Sequence, residues 1–132
     1  MFLLDTNVCI RILNGSSDAV VAALRRVSPS SVRLCSVVLA ELVFGARNSS
    51  RVEQNLRTIE RFRAPFLSLP FDDAAAEHYG AIRAELSRGG TPIGPNDLMI
   101  AAIARANDLT LVTHNVSEFG RVTGLRIEDW EG

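Results

Sequence analysis

Phe2-Leu3-Leu4-Asp5-Thr6-Asn7 decides the fold class of this chain. Three consecutive apolar residues are too few for a helix but enough for a short strand buried on both faces, and the polar Asp5-Thr6-Asn7 ends the run at once. A short helix is expected after it, to about Leu13, with Asn14-Gly15 as its stop. The same alternation continues down the chain. Ser16 or Ser17 is placed to cap a helix from Asp18 to about Val27, and Pro29 with its neighbouring serines makes a loop before a second strand at Val32–Ser36. Val37–Arg47 reads as an apolar helix and Ser50–Arg63 as an amphipathic one, with Glu53 and Arg57 spaced for an i,i+4 pair. Phe66–Leu69 is a third strand ended by Pro70; Asp72 caps a long helix to about Arg88. Beyond the Gly89–Gly94 loop, Pro95 suits the first position of a helix running to about Asn107. Leu109–Thr113 is a fourth strand and Leu125–Ile127 a candidate fifth. Strands alternating with helices specify an α/β protein whose central parallel sheet of 4–5 strands is flanked by helices on both faces. Ligands of such sheets bind beyond the C-terminal ends of the strands.

Length and composition set the outer limits. A chain of 132 residues, 47% hydrophobic and 22% charged, is globular rather than disordered, and 1–132 is expected to form a single domain. The longest apolar run, Leu98–Ala104, is far too short to span a bilayer, so no membrane partner is expected. Met1-Phe2-Leu3-Leu4 meets Asp5 without a signal-peptide pattern, and the expected location is cytoplasmic. Charge is nearly balanced, at 14 basic against 15 acidic residues, but every basic residue is Arg. The absence of Lys removes the P-loop lysine and Schiff-base chemistry, while Arg suits phosphate through its bidentate fork. Arg11, Arg83 and Arg88 stand near the polar segments discussed below; each reads first as part of a solvated helix face, so no RNA contact is assigned to a particular arginine. Cys9 and Cys35 are not spaced as a metal knuckle and read as small, reduced core residues.

Three carboxylates stand in apolar company. Asp5 directly follows the first strand; Glu41 is the only charge between Val37 and Ala46; Asp97 lies in the first turn of the Pro95 helix, below Ile100 and Ala101. An unpaired carboxylate on an apolar face costs several kcal/mol unless it protonates or meets a cation. Each has an ordinary alternative: Asp5 as a helix cap, Asp97 as a complement to a helix dipole, Glu41 as a rim residue reaching solvent. Three together at the functional edge of an α/β sheet point further. Two carboxylates about 4 Å apart repel by about 4 kcal/mol at an effective dielectric near 20, and a hard divalent cation relieves this. All-oxygen ligands favour Mg²⁺ or Mn²⁺ over zinc, and such a site activates water and clamps a phosphodiester. Thr113-His114-Asn115 follows the fourth strand in a position analogous to Asp5, so Asn115 is a candidate to complete the site, with a plain Asx turn as the alternative. His114 and His78 read as ordinary polar side chains rather than general bases.

These residues carry a resemblance. Leu3-Leu4-Asp5-Thr6-Asn7, Ser36 with Glu41-Leu42 and Gly45-Ala46, Gly94-Pro95-Asn96-Asp97 with Ile100-Ala101, and Thr113-His114-Asn115 with Glu118-Phe119 resemble the motifs of PIN-domain ribonucleases of the VapC toxin type. Ile82–Leu86, Gly90–Pro95 and Leu125–Trp130 are similar to the enterobacterial subgroup that cuts initiator tRNA in its anticodon loop. The resemblance implies a PIN-like fold, a homodimer, a Mg²⁺ or Mn²⁺ site and endoribonuclease activity. It further implies an RNA substrate, tRNA in this subgroup, and a cognate VapB-type antitoxin seated in the active-site groove. Asp5, Glu41 and Asp97 match the three acidic metal-binding and catalytic positions, Thr6 and Thr113 their polar supports. Many members carry Asp at the fourth catalytic position, which here is Asn115.

Other classes fit less well. A catalytically weak RNA-binding PIN module acting in regulation does not need Asp5, Glu41 and Asp97 intact. A phosphatase of the haloacid dehalogenase type needs a second Asp at position 7, which is Asn, and a receiver domain needs a Lys.

Overall fold

A computed structural model describes residues 1–132. The strands are β1 (Phe2–Leu4), β2 (Val32–Cys35), β3 (Leu67–Leu69), β4 (Thr110–Val112) and β5 (Ile127–Glu128); the helices are α1 (Thr6–Asn14), α2 (Asp18–Arg26), α3 (Ser36–Arg47), α4 (Val52–Arg63), α5 (Asp73–Arg88), α6 (Pro95–Ala106) and α7 (Val116–Phe119). A 3-10 turn at Pro29–Ser31 leads into β2. The five strands form one sheet in the order β3-β2-β1-β4-β5, every pair parallel. The α/β reading and the flanked parallel sheet are therefore correct, and the candidate fifth strand exists, set slightly later than Leu125–Ile127.

Local chemistry sets the element ends. The Asp72 carboxylate accepts from the Ala75 N–H at 2.9 Å and Ser17 from the Val20 N–H at 3.3 Å, as N-caps do. Gly15 closes α1 in the left-handed region at φ 65°, its N–H returning to Arg11 and Ile12 carbonyls. Pro95 opens α6, where its missing N–H is no loss. The pair expected between Glu53 and Arg57 does not form; the ion pair on α4 joins Arg63 to Glu60 at 3.8 Å. Both partners of the expected pair lie on an exposed face, where such a contact is worth only a few tenths of a kcal/mol and does not hold two long side chains in place.

The core is one apolar cluster. Leu3, Leu4, Leu34, Leu111 and Val112 stand fully buried in the sheet, and α6 hides Leu98, Ile100, Ala101, Ala102, Ile103 and Ala104. Cys9 and Cys35 are free and buried within it, as read from their company. Helical crossovers carry the chain from β1 through β2 to β3 in one direction, then back past β1 to β4 and β5. The chain thus reverses its direction of travel at β1, and the crevice between the C-terminal ends of β1 and β4 is the topological switch point where α/β sheets bind ligands.

Candidate active site

The switch point is built by continuing the β1–β4 ladder. Leu4 pairs with Val112, and the Asp5 N–H donates to the Val112 carbonyl at 3.1 Å, so Asp5 and Thr113 leave the sheet side by side. Asp5 is at once the cap of α1, accepting from the Val8 N–H at 2.9 Å, and one of only two buried polar residues in the chain, the other being Thr113. The cap and the site are therefore not alternatives. Burial lifts the Asp5 carboxyl above its usual range; the Thr113 hydroxyl and Val8 N–H oppose this, and the charges of Glu41 and Glu131 add to it.

Glu41 reaches the same crevice from α3, which starts directly after β2. The Thr6 hydroxyl donates to Glu41 Oε1 at 2.7 Å and fixes its direction. Asp97 arrives from the first turn of α6, and its carboxyl is pushed up to about 7. Burial is the largest cause, followed by a hydrogen bond and charge from Glu118, then by the charges of Asp5 and Glu41. Asp5, Glu41 and Asp97 thus lie within electrostatic reach of one another, without their oxygens being drawn into one tight cluster.

A fourth carboxylate joins them. Glu118, on α7, shares a hydrogen bond with Asp97 and is held on its other side by the Asn115 amide, which donates to Oε2 at 2.9 Å, and by the Gly94 N–H, which donates to Oε1 at 3.1 Å. The Asn115 hydrogen bond is the main reason the Glu118 carboxyl falls below its ordinary value. Of this pair, Asp97 holds the proton and Glu118 the charge. Asn115 hydrogen-bonds Glu118 rather than the other carboxylates: one N–H of its amide is used there, and its backbone N–H donates to Thr113 Oγ1 at 3.0 Å. Glu118 belongs to the motif quoted above but was given no role there, and the short helix α7 was not expected, although Asn115-Val116-Ser117-Glu118 has the N-x-x-E spacing of a helix start. No ion pair reaches Asp5, Glu41, Asp97 or Glu118.

The crevice opens into a groove of about 640 Å³ with Thr6, Ser36, Glu41 and Asn96 on its polar side and Phe44 and Ile10 on its apolar side. Phe44 is 70% exposed. The three arginines near the motifs have different fates. Arg11 pairs with Glu131 at 3.0 Å beside Asp5; Arg83 bonds the Tyr79 hydroxyl at 3.0 Å; Arg88 is exposed at the end of α5. His78 accepts from Arg105 at 2.8 Å and has a structural place between α5 and α6.

A parallel sheet with an acidic switch point defines a class that the comparisons specify. The PIN domain family matches residues 2–125. The chain is 47% identical over 131 residues to a tRNA(fMet)-specific endonuclease VapC of Shigella flexneri, covering 98% of this chain and 97% of that one. Its fold superimposes on VapBC2 of Rickettsia felis bound to a promoter DNA fragment, with a TM-score of 0.92 at 35% identity over 98% of both chains. DNA-bound VapBC of Salmonella typhimurium matches with a TM-score of 0.91 at 42% identity, over 98% of this chain and 97% of that one. The chain belongs to the PIN-domain family, on its VapC branch.

Proposed function

We propose that this chain is the endoribonuclease toxin of a toxin–antitoxin pair, hydrolysing RNA phosphodiester bonds with the help of Mg²⁺ or Mn²⁺. The observation that carries the reading is the meeting of Asp5, Glu41, Asp97 and Glu118 at the switch point with no basic side chain paired to any of them. The donor set is all oxygen, and Asp97 retains a proton to near neutrality in place of a cation, which suits a hard divalent ion. Asp5, Glu41 and Asp97 would hold that ion, with Glu118 beside them. When bound it supplies Lewis acidity at the phosphoryl oxygens and lowers the pKa of a water.

The chain's own residues do the rest. Thr6 aims Glu41; Thr113 and the α1 N-terminus hold Asp5; Asn115 and Gly94 hold Glu118. Asp97 holds a proton at its carboxyl that Glu118 shares. The groove beside Phe44 gives RNA a path past these groups, with Ser36 and Asn96 as hydrogen-bonding partners. The VapC relatives named for tRNA(fMet) support initiator tRNA as substrate, and the VapBC complexes among the structural neighbours support a VapB-type antitoxin as partner. No helix is long and apolar enough to cross a membrane. We read residues 1–132 as one PIN domain acting as a homodimer in the cytoplasm. Sequencing of RNA ends after brief expression of the chain alone tests this. New 5′ ends within one tRNA anticodon loop are expected. RNA binding without new ends, even with Mn²⁺ added in vitro, means a regulatory module that does not cut.

A further inference from the structure

The C-terminal segment lays two carboxylates over the two basic side chains that share a recess with Asp5. Arg11 and His114 line this recess of about 220 Å³ together with Asp5, Asn7 and Asn115. Arg11 Nε lies 3.0 Å from Glu131 Oε1. The Nδ1–H of His114 donates to Asp129 Oδ2 at 3.0 Å, and Glu131 Oε2 stands 3.3 Å from the same nitrogen. The fit on the Glu131 side is incomplete, because its Oε2 is buried and accepts no hydrogen bond. Glu131 also sits within electrostatic reach of Asp5, so it crowds a centre already rich in carboxylates. Its position is explained by the Arg11 guanidinium and the His114 N–H it covers, and those donors match a phosphate equally well.

We propose that Arg11 and His114 form a phosphate subsite for the RNA backbone beside Asp5, which Glu131 and Asp129 fill as stand-in anions until RNA displaces them. The proposal rests on the ribonuclease reading above. Arg11 uses only Nε toward Glu131, its side chain is 40% exposed, and its remaining N–H groups are free to fork onto a phosphate. Little of the fold has to move. Trp130 is packed edge-on against Phe2, with ring centres 5.6 Å apart, so the segment stays anchored while the Glu131 side chain turns away. Replacing a carboxylate by a phosphate leaves the Arg11 and His114 donors satisfied throughout.

Steady-state cleavage and RNA binding by the full chain test this, with melting temperature recorded for each variant. Glu131→Gln should lower KM about two- to five-fold, the size of a partly exposed ion pair, with kcat within two-fold of the parent. Arg11→Gln should raise KM and reduce the slope of log affinity against log salt by about one, while Arg11→Lys should keep the slope. In the double variant the gain from Glu131→Gln should disappear, since the cation it uncovers is gone. An unchanged KM in Glu131→Gln with only a lower melting temperature would overturn the proposal and make Glu131 a plain tail clamp. So would an unchanged salt slope in Arg11→Gln. If the parent cuts no RNA, the ribonuclease reading itself fails; if the parent cuts and the variants do not respond, the subsite alone fails.

Discussion

Asp97 concentrates the chemistry of this site in one carboxyl. In the unfolded chain it titrates at the ordinary 3.8; in the folded chain it is pushed to about 7 by burial and by Glu118. Between those values the folded state holds a proton that the unfolded state has released. The stability this contributes is fully present below about pH 4 and is lost as pH rises towards 7. Asp5 is shifted in the same direction, while Glu118, lowered, contributes with the opposite sign and weakens the fold as pH falls through its range. Metal-free protein should therefore melt at progressively lower temperature as pH is raised from 5 to 7.5. Asp97→Asn should flatten that profile and abolish cleavage with the fold intact; a profile unchanged from the parent would mean that Asp97 is not the titrating group. Glu118→Gln removes a charge that, together with burial, keeps the proton on Asp97. It should shrink the same slope and reduce cleavage about 10- to 100-fold, as loss of a group that orients metal ligands does.

At the scale of the element, Asp5 has two roles that substitution can separate. Its carboxylate caps α1 through the Val8 N–H and also faces Glu41 across the crevice. Asn caps a helix about as well as Asp, whereas Ala forfeits about 1 kcal/mol. Asp5→Asn should thus keep the cap, remove one charge from the crowded centre and melt no lower than the parent in EDTA. Asp5→Ala should melt lower. Differential scanning calorimetry of the two variants decides it: if Asp5→Asn melts as low as Asp5→Ala, the cap depends on the charge and the repulsion is negligible. Both should lose activity. The same doubling of roles holds for α7, four residues long, whose first turn brings Glu118 over the start of α6 and ties it to Gly94.

For the whole molecule, net charge and binding charge part company. The chain carries a formal net charge of −1, yet all 14 of its Lys and Arg positions are Arg, and the proposed reading asks RNA phosphates to meet them locally rather than through bulk charge. Affinity for RNA should fall steeply between about 50 and 200 mM salt; binding that ignores salt would remove RNA as the ligand. Added Mn²⁺ should raise the melting temperature, because an ion that binds only the folded state stabilises it by mass action. The rise should be largest above pH 7, where Asp97 no longer holds its proton, and should shrink in Asp5→Asn. An equal rise in both proteins would locate the ion elsewhere.

Much of this was legible in the sequence because the signals are local. Asn14-Gly15, Asp72 and Pro95 mark their helix ends through backbone chemistry that needs only near neighbours, and the short apolar runs before Asp5 and Thr113 specify buried parallel strands. Asp5, Glu41 and Asp97 stood out by their apolar company alone. What the tertiary structure decided are meetings between residues far apart in the chain. Thr6 reaches Glu41 across 35 positions, Gly94 reaches Glu118 across 24, and the tail at Asp129 and Glu131 folds back over Arg11 and His114. The role of Glu118 was not legible in sequence because its partners, Asp97 and Gly94, arrive only when α6 packs beside β4. The Glu53–Arg57 pair failed for the complementary reason: spacing permits an exposed ion pair, but no packing enforces it. Local backbone preferences act without the rest of the chain, whereas a carboxylate's proton and partners depend on burial and on charges that only the assembled sheet brings together.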